Sequence, residues 1–230
     1  MKKSKILLFD IDGTLLMTGG AGAEALNLAF HRHFGIEGAW RGIVPDGKTD
    51  PMIIEEMAVR ALGRALDTAE YEKICSLYLE FFTERLPKSE RFRLLPGVQF
   101  LLQSLAGRED LVLGLATGNF EAAAWQKVGH GGIRDFFKFG GFGSDSRDRG
   151  ELTRTAVLRG LEFLGRETGP ENIFVIGDTI YDVMAGKKAG VRTVAVATGN
   201  YNGAHFREHS PDYILNDLSD ARAFLRILDS

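Results

Sequence analysis

The stretch "KILLFDIDGT", residues 5–14, decides the interpretation of the whole chain. Its apolar run, residues 6–9, is typical of a buried strand, and Asp10 and Asp12 follow in a turn that contains Gly13. A buried carboxylate without a partner is destabilising by several kcal/mol or loses its charge through a pKa shift. We therefore expect a cation to meet these carboxylates just beyond the end of the strand.

Short apolar runs alternate with helical patterns along the second half of the chain. The apolar runs are 111–118, 172–178 and 191–199, and the helical patterns are 120–128, 151–167, 180–189 and 218–228. Continuous apolar strands separated by helices indicate a parallel sheet that is covered on both faces. The predicted fold is therefore α/β, a doubly wound parallel sheet whose strands end at one ligand-binding edge.

Residues 17–90 interrupt this alternation, because they contain almost no strand signal. The segments with helical periodicity there are 23–34, 51–62 and 69–86. We expect residues 17–90 to form a helical cap domain, inserted into an α/β core domain made of residues 1–16 and 91–230.

Polar residues also follow or precede the later elements. The sequence TGN at 117–119 ends one apolar run, arginines lie at 147–154 before a helical pattern, and GDTIYD at 177–182 ends another run. Because the carboxyl ends of parallel strands share one edge of a sheet, we expect these groups to converge on Asp10 and Asp12.

Phosphate chemistry suits such a cluster. Converging carboxylates require a cation, and oxygen-only ligands suit Mg²⁺. Thr117 can offer a hydroxyl group, Gly118 lets backbone N–H groups approach an anion at the next helix, and an arginine can bind phosphoryl oxygens. One aspartate can then attack phosphorus, and the second, two residues on, can exchange protons with the leaving group and water.

The motifs DxDGT, Thr-Gly after a strand, a basic residue and GDxxxD, in this order, resemble those of the haloacid dehalogenase superfamily. The resemblance covers nearly the whole chain and includes a helical cap of the C1 type. It implies that Asp10 is the nucleophile and Asp12 the general acid/base. It also implies that Asp10, Asp178 and the carbonyl group of Asp12 hold Mg²⁺, with Asp182 in support.

The second aspartate of the first motif separates the branches of that superfamily. Members that remove halides resemble this sequence in fold but lack an aspartate at the position of Asp12, whereas phosphatases and phosphomutases have it. The resemblance also implies that Thr117, with Gly118 and Asn119, binds the phosphate group.

The third motif departs from the superfamily pattern, which usually has a lysine just before a helix. The matching stretch, "GSDSRDRGELTRTAV", has no lysine. Counting back from the helix places Arg149 at the lysine position, with Arg147 and Arg154 behind it. The alternative is that these arginines form only the solvated start of a helix.

Other motifs also have purely structural interpretations. Asp10 and Asp12 could be turn residues, and TGN at 117–119 could be an ordinary strand-to-helix turn. Asp182 could cap the helix that begins near Ile180.

The loop "PDGKTDP", residues 45–51, is the candidate for substrate specificity in the cap. Lys48 could reach a phosphate or acidic group, and Thr49 and Asp50 could bind hydroxyl groups. Alternatively, Thr49 or Asp50 only caps the helix that starts at Pro51. Phosphoglycolate phosphatases are similar in arrangement, which makes phosphoglycolate a candidate substrate.

Composition excludes several classes of function. A net charge of −3 with both signs interspersed indicates neither nucleic acid nor an anionic membrane as partner. The single cysteine, Cys75, cannot form an internal disulfide, and no apolar stretch approaches the roughly 18 residues of a membrane span. We expect a cytoplasmic protein, and the sequence does not indicate its oligomeric state.

The sequence therefore predicts a Mg²⁺-dependent phosphohydrolase that acts on a small phosphomonoester through an aspartyl phosphate. One alternative is a phosphomutase of the β-phosphoglucomutase type, which would share every core motif and respond to a sugar bisphosphate. The other is a non-catalytic binding protein on the same fold, which clustered carboxylates at Asp10, Asp12 and Asp178 disfavour.

Overall fold

The computed structural model describes residues 4–166 and 168–229, which form a six-stranded parallel sheet, a two-stranded ribbon and nine α-helices. The strands are β1 (Lys5–Phe9), β2 (Leu16–Met17), β3 (Arg93–Leu94), β4 (Leu111–Thr117), β5 (Gly140–Phe142), β6 (Ile173–Gly177), β7 (Arg192–Val196) and β8 (Tyr213–Leu215). The helices are α1 (Ala21–Phe34), α2 (Asp50–Leu62), α3 (Thr68–Arg85), α4 (Val98–Ala106), α5 (Glu121–His130), α6 (Arg149–Leu164), α7 (Ile180–Ala189), α8 (Gly203–Glu208) and α9 (Ala221–Leu228). The helix predicted at 151–167 thus ends at Leu164, and position 167 lies outside the described residues.

The six-stranded sheet has the order β5-β4-β1-β6-β7-β8, and all neighbouring strands are parallel. Residues 6–9 of β1 are fully buried, as expected for a strand that is covered on both faces. Phe9 lies opposite Leu115 of β4 and Ile176 of β6, so these three strands end side by side. The predicted doubly wound α/β fold is confirmed.

Two edge strands, β5 and β8, are absent from the sequence prediction. Glycine is a poor strand former, yet β5 begins with Gly140 and Gly141. A Cβ atom at Gly141 would lie only 1.9 Å from the carbonyl oxygen of Leu152 in α6. Close packing of α6 on the strand therefore requires glycine here, and this requirement hides the strand from a propensity argument.

Helices α1 to α3 form a separate layer beyond the carboxyl edge of the sheet. They share an apolar core of their own that includes Leu26, Phe30, Ile54 and Phe82. The antiparallel ribbon of β2 and β3 lies where the chain leaves the sheet region and returns to it. We call this helical layer the cap and the rest the core; the boundaries at 17 and 90 stay a prediction.

Among the described residues, no helix is both long enough and apolar enough to cross a membrane. The cytoplasmic location stays a prediction.

Candidate active site

Three buried aspartates lie together at the carboxyl edge of the sheet. Asp10 follows β1, Asp178 follows β6, and Asp182 lies in the first turn of α7. Each residue is at most 5% exposed, and one carboxylate oxygen of each lies within 4.8 Å of the others. Burial, reinforced by repulsion between the carboxylates, raises the pKa of both Asp10 and Asp178. A bound cation would remove this electrostatic cost.

Two glycines make room for the carboxylate of Asp178. A Cβ atom on Gly13, whose φ is +83°, would lie 2.3 Å from Oδ2 of Asp178, and one on Gly199 would lie 1.9 Å from the same atom. The Thr14 hydroxyl donates a 2.8 Å hydrogen bond to Oδ1 of Asp178. The orientation of this carboxylate is therefore fixed by backbone on one side and by a hydroxyl group on the other.

The donor set fits a magnesium ion. The three carboxylates carry more negative charge than the single guanidinium beside them, Arg149, can neutralise. The remaining charge suits a divalent cation, and oxygen atoms are the donors that Mg²⁺ prefers. The structure groups Asp182 with Asp10 and Asp178, whereas the resemblance assigned the third ligand to the carbonyl group of Asp12; that ligand stays a prediction.

Arg149 is the arginine of the third motif that reaches the acidic cluster. Its guanidinium group forms an ion pair with Asp182 and lies 3.4 Å from Oδ1 of Asp10. Arg147 instead pairs with Glu55 of the cap at 2.5 Å. Arg154 pairs with Glu151 of its own helix at 2.8 Å. The position of Arg149 agrees with its placement from the sequence, and its role in phosphate binding stays a prediction.

The start of α6 explains why Arg149 points into the site. Asp148 is the N-cap residue, and its carboxylate accepts hydrogen bonds from the N–H groups of Gly150 and Glu151 at 2.8 and 3.1 Å. This cap fixes Arg149 as the first helical residue, next to the sheet edge.

Asp182 caps a helix and lies in the acidic cluster, and its supporting role toward Mg²⁺ stays a prediction. Its Oδ2 accepts hydrogen bonds from the N–H group and the hydroxyl group of Thr179, at 3.0 and 2.6 Å, in a capping box at the start of α7. Its Oδ1 binds Arg149. Asp182 therefore connects the helix cap to the acidic cluster.

The loop after β4, residues 117–119, lines the cavity below the cap, and its role in phosphate binding stays a prediction. Thr117 is fully buried, and its hydroxyl oxygen accepts a 2.7 Å hydrogen bond from the side-chain amide of Asn119. The proton of this hydroxyl group is therefore available to donate to a ligand. Gly118 must lack a side chain, because a Cβ atom there would lie 2.5 Å from the carbonyl oxygen of Lys48 in the cap.

Asp12 differs from the other aspartates because it faces the cap rather than the acidic cluster. Its side chain is 42% exposed, and Oδ2 accepts hydrogen bonds from Lys127 at 2.5 Å and from the amide of Asn119 at 2.8 Å. The ammonium group of Lys127 also donates to Oδ1 of Asn119. Asp12 therefore belongs to a network of polar groups that includes the 117–119 loop.

Lys127 was missing from the predicted site. A lysine in a helical segment is usually solvated, but this one is only 5% exposed. The sequence did contain a signal for this lysine. The buried face of α5 consists of residues spaced at about one helical turn, Ala123, Ala124, Lys127 and Val128. A lysine in the middle of an apolar helix face indicates an acidic partner.

The cap loop at 45–51 packs directly on the loop after β4. Lys48 forms an ion pair with Glu56 of α2, and Thr49 is fully buried. The N–H group of Asp50 donates a 2.8 Å hydrogen bond to the carbonyl oxygen of Gly118, and its carboxylate accepts a 2.8 Å hydrogen bond from the N–H group of Phe120. These contacts join cap to core; the specificity roles of Lys48, Thr49 and Asp50 stay predictions.

Asp50 provides a pH-dependent test of this junction. Burial raises its pKa to about 6, although Lys127 and the Phe120 N–H group oppose the rise. Between about pH 4 and pH 6 the unfolded chain loses this proton before the folded protein does, so the ionised group destabilises the fold above that window. We expect Asp50→Asn to gain stability relative to the parent by about 2–3 kcal/mol as pH rises from 4 to 7.

Urea denaturation at several pH values measures this difference. Asparagine retains an oxygen for the Phe120 N–H group, so only the charge is removed. Asp135→Asn, at an exposed position, is the matched control and should run parallel to the parent. A constant difference between Asp50→Asn and the parent across pH 4–7 would contradict a raised pKa at Asp50.

A cavity of about 460 Å³ lies between the cap and the sheet edge. Its core wall contains the acidic cluster, Asp12, the 117–119 loop and Lys127. Its cap wall contains the apolar side chains of Leu26, Trp40, Ile53 and Tyr78 and also the charged side chains of Asp46, Lys48 and Asp50. The core therefore builds a charged wall of the cavity, and the cap builds a wall that is partly apolar and partly charged.

Comparisons with known proteins agree with this architecture. A family model described as a haloacid dehalogenase-like hydrolase matches residues 4–190, and the chain therefore belongs to the haloacid dehalogenase-like hydrolase family. The chain is 29% identical over 220 residues to a phosphoglycolate phosphatase of Mesorhizobium japonicum, an alignment that covers 92% of this chain and 90% of the relative.

Two further proteins extend the comparison. The bifunctional riboflavin kinase/FMN phosphatase of Arabidopsis thaliana is 27% identical over 226 residues, which is 96% of this chain and 55% of the relative. Among solved structures, CbbY from Rhodobacter sphaeroides in complex with phosphate has a TM-score of 0.73 and 21% identity, with coverage of 94% of this chain and 96% of that chain. The structural likeness shows the shared fold, and membership of a hydrolase family disfavours the non-catalytic alternative.

Proposed function

We propose that the protein is a Mg²⁺-dependent phosphatase that hydrolyses a small phosphomonoester through an aspartyl phosphate on Asp10. The observation that carries this proposal is the buried carboxylate of Asp10, which lies beside Arg149 and lines the same cavity as Thr117 and Gly118. A nucleophile, a fixed cation and phosphate-binding donors thus face one space. The names of the two curated relatives support hydrolysis of phosphate esters.

In the first half-reaction, a carboxylate oxygen of Asp10 forms a bond to phosphorus while the bond between phosphorus and the ester oxygen breaks. Asp12 enters protonated and gives its proton to the ester oxygen, so the leaving group departs as an alcohol. The guanidinium group of Arg149 and the hydroxyl group of Thr117 bind the phosphoryl oxygens as charge spreads over them.

In the second half-reaction, the carboxylate of Asp12 takes a proton from water, and the water oxygen attacks phosphorus. The bond between phosphorus and the Asp10 oxygen breaks, and inorganic phosphate leaves. One ester and one water have then given one alcohol and one phosphate. Asp10 is again a carboxylate, and Asp12 is again protonated.

Asp10, Asp178 and Asp182 are the side chains that would hold Mg²⁺, which when bound offsets the negative charge of the carboxylates and of the phosphoryl group. The cap excludes bulk water during transfer, because its 45–51 loop already contacts Gly118.

The size and lining of the cavity bear on the substrate. The name of the Mesorhizobium relative makes phosphoglycolate the first ester to test. However, a cavity of about 460 Å³ lies within the range of about 300–1,000 Å³ that holds much larger ligands. Its lining combines apolar side chains, Leu26, Trp40 and Ile53, with the cationic side chains of Lys48, Arg91 and Arg93. These cations could bind the carboxylate of phosphoglycolate. The apolar side chains favour a second candidate, an ester with a larger apolar leaving group, such as the FMN in the name of the Arabidopsis relative.

Hydrolysis of p-nitrophenyl phosphate tests the proposed function. We expect turnover with Mg²⁺, loss of turnover with EDTA and recovery when excess Mg²⁺ is added back. Turnover that EDTA does not change would contradict the metal requirement. The ratio of kcat/KM for phosphoglycolate and FMN then decides between the two substrate classes. Net isomerisation of a sugar phosphate with a bisphosphate activator would favour the phosphomutase alternative.

Replacement of Arg149 tests its assignment as the phosphate-binding cation. Arg149→Met is expected to lower kcat/KM by roughly 10²–10³-fold, because the phosphoryl group loses a fixed positive charge. Arg149→Lys should recover part of the loss, since it restores the charge without the planar fork. Arg147→Met is the matched control, because Arg147 pairs with Glu55 outside the acidic cluster, and we expect less than a threefold change. The reverse order of effects would contradict the assignment of the third motif.

A further inference from the structure

Lys127 connects groups from three parts of the site, yet it belongs to none of the four motifs. Its ammonium group lies 2.5 Å from Oδ2 of Asp12 and also donates a hydrogen bond to Asn119. On the cap side, the same group lies 5.8 Å from the centre of the Phe82 ring. Its charge also opposes the burial-driven rise in the pKa of Asp50.

An ammonium group at this position requires an explanation beyond packing. Lys127 is 5% exposed, and a buried ammonium group loses hydration that its acidic partner and its hydrogen bonds must compensate. An apolar side chain of similar length would fill the same space beside Phe82 at a lower desolvation cost. The charge therefore serves Asp12 rather than the apolar core.

The hydrogen bonds to Asp12 determine which of its two carboxyl oxygens is left to carry the transferable proton. Lys127 and Asn119 both donate to Oδ2. The other oxygen, Oδ1, is then the oxygen that is left to carry the transferable proton. Without these two donors the carboxyl group of Asp12, which is 42% exposed, would rotate about its side-chain bonds.

We propose that Lys127 is a positioning residue that orients the carboxyl group of Asp12 for proton transfer, an inference that rests on the proposed function. Lys127 touches no reacting atom in this account and acts through Asp12. Because its other neighbours, Asp50 and Phe82, belong to the cap, it also couples the orientation of the acid to the closed position of the cap.

Two aryl esters of similar shape test this role. The leaving group of p-nitrophenyl phosphate departs without a proton, whereas that of phenyl phosphate requires one. Lys127→Met keeps the length of the side chain and its packing on Phe82 but removes the charge. We expect it to lower kcat/KM, which reports the first half-reaction, at least about tenfold more for phenyl phosphate than for p-nitrophenyl phosphate. Lys127→Arg should recover part of the loss, and Lys138→Met, at an exposed position, should change neither substrate.

A double-variant cycle separates positioning from a merely structural role. In an Asp12→Ala background, Lys127→Met should change kcat/KM for phenyl phosphate by less than about threefold, because the acid it orients is gone. Equal losses on both esters, or a full additional loss in the Asp12→Ala background, would overturn the proposal.

The parent, the two single variants and the double variant also provide a readout that does not depend on turnover. In urea denaturation, the effects of Lys127→Met and Asp12→Ala on the unfolding equilibrium constant should be non-additive by at least about fivefold. If the parent hydrolyses neither ester, the proposed function fails while the pairing of Lys127 with Asp12 is still decided by this cycle. Additive unfolding effects would overturn the pairing itself.

Discussion

Asp10→Asn is expected to lower kcat by about 10⁴-fold or more, because an amide oxygen cannot replace the carboxylate that attacks phosphorus. The variant should nevertheless fold. Burial and repulsion from Asp182 raise the pKa of Asp10, so the charged form is unfavourable in the metal-free protein. Removal of this charge should therefore leave the metal-free variant at least as stable as the parent.

Steady-state turnover of p-nitrophenyl phosphate and thermal denaturation of the same samples measure these two effects. Asp46→Asn is a matched control, because Asp46 lines the same cavity but is bound to Asn200 at 2.8 Å rather than to the acidic cluster. It should retain turnover within about threefold of the parent. A folded Asp10→Asn protein with more than a few per cent of parental turnover would remove the nucleophile assignment.

Asp12→Ala is expected to have the second largest effect, and that effect should depend on the leaving group. Loss of the general acid should lower the rate of the first half-reaction by roughly 10²–10⁴-fold for phenyl phosphate. For p-nitrophenyl phosphate the same rate should fall by about tenfold or less. The reason is that phenolate requires a proton as it leaves and p-nitrophenolate does not. Pre-steady-state release of the leaving group measures the first half-reaction for each ester.

Asp12→Asn is the control that separates proton transfer from local structure. Asparagine retains an oxygen that can accept the hydrogen bonds of Lys127 and Asn119, but it has no carboxyl proton to give. It should therefore show the same dependence on the leaving group as Asp12→Ala. Equal losses on both esters, for both variants, would contradict the assignment of Asp12 as the acid.

The strands and helices that could be predicted from the sequence are those with local patterns. The run at 6–9 is apolar throughout because β1 has neighbouring strands on both sides and is covered on both faces. The cap helices α1 to α3 begin within two residues of their predicted starts, because each has a continuous apolar face. Strand β5 could not be predicted, because Gly141 is required by its contact with α6 rather than favoured by strand propensity.

The residues of the candidate site also differ in whether a local sequence pattern predicts them. Asp10, Thr117 and Asp178 could be placed together because each ends a predicted strand, and parallel strands share an edge. Lys127 and the docking role of Asp50 could not be predicted. Lys127 binds Asp12, which is distant in sequence although both lie in the core, and Asp50 meets Phe120 only where the cap contacts the core. These contacts between distant segments leave no local pattern in the sequence.

The junction between cap and core explains why these long-range contacts matter. Asp50 of the cap binds the backbone of Gly118, within the loop that is proposed to hold phosphate, and the backbone of Phe120, just after that loop. Lys127 lies in α5, the helix that follows that loop, and binds Asp12. A phosphate in the loop and a closed cap would therefore favour each other, since both act on the same backbone segment.

Detection of the phosphoryl group on Asp10 tests the central claim most directly. The protein would be mixed with substrate and Mg²⁺, quenched in acid within milliseconds, reduced with borohydride and digested for mass spectrometry. Reduction converts an aspartyl phosphate to homoserine, so we expect homoserine at position 10 in the parent and none in Asp10→Asn. Homoserine at position 12 or 178 instead, or hydrolysis with an unmodified position 10 at every quench time, would contradict it.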